Sequence, residues 1–174
     1  MTIGETGAVL EGHVECASQG QEVGCGVILW VSDRRPMAKT RKDFQRLAQL
    51  RAAEAAFLAR GNKKQGAYYL AGFAIECALK ACIAKKTRKH DFPSRNYVQR
   101  VHSHDLNELL KLAGLEGHFD ADTKTRPGLS ANWGVVMGWN IDSRYECSGL
   151  NGKDMATAVT SPTDGVLQWI KLYW

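Results

Sequence analysis

Two charged side chains stand in the middle of the most apolar stretch of this chain. Residues 66–86 read GAYYLAGFAIECALKACIAKK, and within them Glu76 and Lys80 are four residues apart. On a helix that spacing puts them on one face, about 40° apart. A carboxylate and an ammonium in such surroundings must be paired or hydrogen-bonded, because burying either alone costs several kcal/mol. They form either a partly exposed helix pair worth about 0.2–0.5 kcal/mol or the polar edge of a central helix that faces a functional cleft. Two distant residues could complete such a cleft. His104, beside a helix start and next to Asp105, carries an imidazole, a group that can serve as a general base or acid; it could equally be a capping or packing residue. Arg144, in the polar run Asp142-Ser143-Arg144-Tyr145-Glu146, could hold a phosphate through two parallel hydrogen bonds or form a salt bridge to Glu146 or Glu76. Tyr145 could stack on a base or pack in the core.

The elements that must position these groups are helical. In 66–86, Leu70, Ala74, Cys77, Ala81 and Ala84 form one stripe, and Tyr68, Ala71, Ile75, Leu79 and Cys82 form another. A helix apolar nearly all round is packed on several sides. Residues 40–60 predict a helix through Phe44, Leu47, Ala48, Ala55 and Leu58, stopped by Gly61-Asn62. The two helices are joined closely enough to form an antiparallel hairpin. Residues 87–102 read as a basic connector around Pro93, either a solvated loop or a rim that attracts phosphate. A short helix then runs from Ser103-His104-Asp105 to about Ala113; Asp105 and Glu108 have capping-box spacing, and Gly114 ends it. Residues 115–130 look looser, broken at Pro127-Gly128. A short helix is expected around Trp133, Val136 and Met137. From about 152 to 173 a last helical region should divide at Pro162. Without convincing paired strands, the fold class is an all-α bundle.

The chain has 174 residues and a net charge of +5, which fits one domain with a real core and favours anionic partners. Residues 1–36 stand apart, with two Arg against five acidic groups, no Lys and six Gly. They read as a poorly structured N-terminal extension, flexible or not native, before a helical domain at 37–174 whose MAKTRKDFQRLAQLR opening resembles a natural start. The five cysteines lack framework or zinc spacing, so Cys77 and Cys82 are expected as small buried apolar residues in a reducing, cytoplasmic protein. His102-x-His104 has no third ligand nearby, so no metal site and no cofactor is expected. Glu76 interrupts the longest apolar run, so no membrane span is expected.

Several of these motifs, in this order, resemble the HEPN (higher eukaryotes and prokaryotes nucleotide-binding) domain family over roughly residues 40–173. They are Ala67-Tyr68-Tyr69, then Ala74-Ile75-Glu76-Cys77-Ala78-Leu79-Lys80-Ala81, then the His-Asp-Leu helix from His104 to Leu110, and a late Arg144-Tyr145. The resemblance implies an up-and-down bundle of about four to five helices, usually homodimeric. Such domains are often encoded beside a small nucleotidyltransferase as a toxin–antitoxin pair. Many are metal-independent ribonucleases whose Arg-x4–6-His motif acts on the scissile RNA phosphate, and attack by the ribose 2′-hydroxyl would restrict them to RNA. In this chain no histidine follows Arg144, and the Arg95-x6-His102 pair lies in the early connector.

The expected function is therefore a defence or toxin–antitoxin module that binds RNA or nucleotide. If it cleaves RNA, His104 moves the proton and Arg144 holds the phosphate. Glu76, Lys80, Asp105 and Tyr145 would orient the groups or bind substrate. The alternative is a non-catalytic interaction domain in which these residues form a structural polar network. A weaker third reading is a nucleotide sensor that stacks a base on Tyr145 or a Trp.

Overall fold

The computed structural model describes residues 40–87 and 92–174. The expected N-terminal extension lies outside the described residues. The described residues form eight α-helices and one 3-10 turn, with no strand among them. The all-helical bundle expected from the sequence is what they build, divided into more pieces than four or five.

Helix α1 (Arg41–Arg60) opens on a capping box: the Thr40 hydroxyl accepts from the Asp43 backbone, and the Asp43 carboxylate accepts from Thr40 N–H. It ends at Gly61, and Asn62 turns the chain with a φ of 54°, a left-handed conformation that Asn tolerates better than most residues. Helix α2 (Lys64–Lys86) returns along it. Ala48, Ala52 and Ala55 are the buried residues of α1. Their short side chains let α1 pack closely on the alanine-rich face of α2.

Helix α2 is the axis of the bundle. It packs against α1, against α4 (Leu106–Ala113), α7 (Gly152–Thr160) and α8 (Val166–Lys171), and against the 3-10 turn at Ile141–Tyr145. Contacts on so many sides explain why its apolar residues surround it. Gly72 is required by this crowding, since a Cβ there would overlap the ring of Trp139. The Trp139 indole N–H also donates to the backbone oxygen of Tyr69 at 3.1 Å. Burial pushes the Cys77 thiol up to about 12 and the Cys82 thiol to about 11, so both behave as apolar filling, as expected. Helix α2 matches a membrane span by length and mean hydropathy despite Glu76, contrary to the expectation, but 67% of that window is buried inside the bundle.

Two helices escaped sequence reading. The basic connector contains α3 (Arg95–Val101), started by the Ser94 hydroxyl accepting from Tyr97 N–H. Arg95 and His102 fall at its opposite ends, about 10 Å apart along the axis, so the Arg-x6-His spacing does not bring them together. The stretch that looked loose contains α5 (Glu116–Thr125). Pro127 does not merely break the chain; it is the first residue of α6 (Pro127–Val136), where its fixed φ suits a helix start and its missing N–H costs nothing. At the C-terminus the expected division occurs: α7 stops at Thr160 and α8 begins at Val166.

Candidate active site

Helix α2 carries Glu76 at its centre, only 2% exposed, with both carboxylate oxygens occupied. Oε1 accepts from Lys80 Nζ at 2.7 Å, one turn along the same helix. Oε2 lies 2.9 Å from His104 Nδ1, at the start of α4. The i,i+4 pair is thus one arm of a three-residue cluster that joins two helices. Lys80 is 14% exposed and His104 46%, so the cluster grades from a buried carboxylate to an imidazole that meets solvent.

The local fold fixes His104 through its neighbours. The Asp105 carboxylate accepts from Asn107 N–H at 2.8 Å and Glu108 N–H at 3.1 Å, which caps α4. The Ser103 hydroxyl accepts from Asp105 N–H at 3.0 Å. These bonds set the turn from which His104 projects, so Asp105 orients the site by shaping backbone. Glu108 does not close the expected capping box with its side chain; its carboxylate accepts from Arg100 on α3.

This arrangement dictates a tautomer. An ionised carboxylate only accepts hydrogen bonds, so Glu76 requires a proton on His104 Nδ1. The lone pair of the neutral ring is then on Nε2. A carboxylate that holds an imidazole this way orients it and stabilises the imidazolium that forms when Nε2 takes up a proton. The Lys80 ammonium offsets the charge of the buried carboxylate at 2.7 Å.

Arg144 and Tyr145 are placed elsewhere. They lie in the 3-10 turn, whose Asn140 side chain accepts from Asp142 N–H and Ser143 N–H at 2.9 and 3.0 Å. The Arg144 guanidinium carbon is 4.7 Å from the centroid of the Tyr145 ring. Hydrogen bonding to the Tyr145 hydroxyl, and less strongly to that of Tyr69, raises the Arg144 pKa further above its ordinary value. Tyr145 is 71% exposed. Tyr69 precedes Glu76 by seven residues, two turns on the same helix face and about 10 Å along the axis. The structure therefore brings Glu76, Lys80 and His104 together, whereas the contacts of Arg144 are to Tyr145 and Tyr69; Tyr69 in turn stacks on Phe73 with ring centroids 6.1 Å apart.

Sequence reasoning missed a second carboxylate cluster. Asp122 on α5 accepts from the Trp169 indole at 2.8 Å and the Tyr173 hydroxyl at 3.0 Å. Those bonds, Trp169 first, lower its pKa. Asp122 stands in the polar sequence Asp-Ala-Asp, and its partners lie 47 and 51 residues away, so no local spacing announces it. Among the described residues no group of three His, Cys, Asp or Glu side chains could hold a metal ion.

In comparisons with family models, curated proteins and solved structures, nothing matches this chain.

Proposed function

We propose that this chain is a HEPN-type RNA-binding domain of a defence or toxin–antitoxin system, and that His104, held by Glu76, is the proton-transfer group of an endoribonuclease. The observation that carries the reading is the 2.9 Å contact between His104 Nδ1 and a buried carboxylate, with the imidazole half exposed. His104 Nε2 removes the proton from a ribose 2′-hydroxyl. The 2′-oxygen forms a bond to the adjacent phosphorus as the bond to the 5′-oxygen breaks. The leaving 5′-oxygen takes up a proton, giving a 2′,3′-cyclic phosphate and a 5′-hydroxyl. Glu76 stabilises the imidazolium formed in the first step, and Lys80 donates to the other oxygen of that carboxylate. Arg144, whose contacts are to Tyr145 and Tyr69 rather than to the Glu76 cluster, suits a neighbouring phosphate of the same strand rather than the reacting one, with Tyr145 as an exposed ring for a base.

This reading expects a cytoplasmic homodimer beside a small nucleotidyltransferase partner. The exposed Leu50 and Phe57 of α1 supply an apolar surface for such contacts. Purified protein incubated with RNA should yield cyclic-phosphate ends, and His104→Gln should abolish them while helical content is unchanged. RNA left intact by the native chain overturns the reading.

A second reading is supported by the satisfaction of both Glu76 oxygens: a non-catalytic interaction domain in which the cluster only fixes α4 against α2. It expects His104→Gln to lower the melting temperature and to leave RNA binding unaltered.

A further inference from the structure

We propose that the chain carries a binding groove for a small aromatic anion, separate from the Glu76–His104 pair but sharing Lys80 with it. The groove lies between the start of α1, the C-terminal part of α2 and α3, and its volume is about 320 Å³. That is at the lower end of the range in which proteins hold small molecules, roughly 300–1,000 Å³.

Its walls set the chemistry of the ligand. Phe44 from α1 and Tyr97 from α3 contribute aromatic rings, and Ala84 and Val101 contribute small apolar surfaces. Rings favour a planar apolar body that can stack or meet them edge to face. Among the described lining residues the charged or N–H-donating side chains are the Lys80 ammonium and the His102 imidazole, and none is acidic. Charge complementarity thus asks for one anionic head group on that body.

Lys80 and His102 both line the groove, Lys80 from α2 and His102 from the end of α3. His102 follows α3 and lies two residues before His104, which reaches Glu76. Lys80 reaches the same carboxylate. An ammonium has three N–H donors, and Glu76 takes one from Lys80, so the others remain for a ligand. Charge-assisted hydrogen bonds of this kind are the strong ones. The groove does not depend on RNA cleavage, and its assay involves none.

The probe is 8-anilinonaphthalene-1-sulfonate, read by fluorescence titration beside its uncharged relative N-phenyl-1-naphthylamine. The sulfonate should bind saturably at one site. Lys80→Gln and His102→Gln should each weaken it by about tenfold and leave the uncharged probe unchanged. Ala84→Phe, which fills the groove, should abolish binding of both probes with the helical circular dichroism intact. The proposal is overturned by absence of saturable binding, by equal sulfonate affinity in native and His102→Gln protein, or by undiminished binding to Ala84→Phe.

Discussion

Two carboxylates, Glu76 and Asp122, each accept two side-chain hydrogen bonds and each tie distant parts of the chain together. Their partners differ in kind. Asp122 receives an indole N–H and a phenol O–H, neutral donors that keep their protons near pH 7. Such a carboxylate is a fixed acceptor, and its work is to hold α8 and the C-terminal turn against α5. Glu76 receives an ammonium and an imidazole, and an imidazole can take up a proton on its second nitrogen. A carboxylate is thus a clamp in one place and, in the mechanism proposed above, part of a proton-transfer device in the other. The donors decide which, together with the exposure of the outermost group.

The contrast can be broken most severely at Glu76. Glu76→Ala leaves Lys80 and His104 without their shared acceptor; removing one partner of a buried pair costs about 3–5 kcal/mol. Urea unfolding should show that loss, with RNA cleavage gone. His104→Gln sharpens the comparison from the exposed side. Its effect on unfolding should stay within about 1 kcal/mol, as for a solvent-facing pair, while cleavage falls by about 10²–10⁴-fold, the usual worth of a general base. At Asp122 the pattern should invert: Asp122→Asn lowers the melting temperature and leaves cleavage at the native rate. A cleavage defect in Asp122→Asn would show that the two carboxylates do not divide their roles in this way.

A smaller effect separates them by pH. Hydrogen bonds from Trp169 and Tyr173 lower the Asp122 pKa below the ordinary carboxylate range. A carboxylate depressed in the folded state contributes stability that is present above its unfolded pKa. That contribution is lost as pH falls through the folded pKa. Melting temperatures measured from pH 5 downward should fall once the pH drops below the unfolded value, and Asp122→Asn should flatten the fall. The smallest effect belongs to Arg144→Ala: a few-fold loss of RNA affinity with little change in the cleavage step, because the contacts of Arg144 are to Tyr145 and Tyr69 and not to the Glu76 cluster. An equal collapse of cleavage in Arg144→Ala would bring it back to the reacting phosphate.

The readable part of this molecule was where chemistry and helical spacing coincide. The pairing of Glu76 with Lys80 followed from four-residue spacing in apolar surroundings. His104 followed from its place at a capped helix start, although only the tertiary packing of α4 on α2 shows that it meets Glu76. Arg144 could not be located because it lies in a 3-10 turn, whose direction is set by Trp139 seated on Gly72 rather than by any periodicity. Helix α5 was hidden because Phe119 and Asp122 face Trp133, Trp169 and Tyr173 within a mostly polar sequence. Helix α3 was hidden by basic residues that suggested a loop, although Ser94 caps it and Tyr97, Val98 and Val101 give it an apolar side.

The central claim concerns one proton, and nitrogen-15 NMR of the His104 ring observes it directly. At alkaline pH, where an imidazole is neutral, the account predicts a ring protonated on Nδ1 with an unprotonated Nε2, and a loss of that preference in Glu76→Ala. A ring protonated on Nε2 in the native chain, or one indifferent to Glu76→Ala, would contradict it.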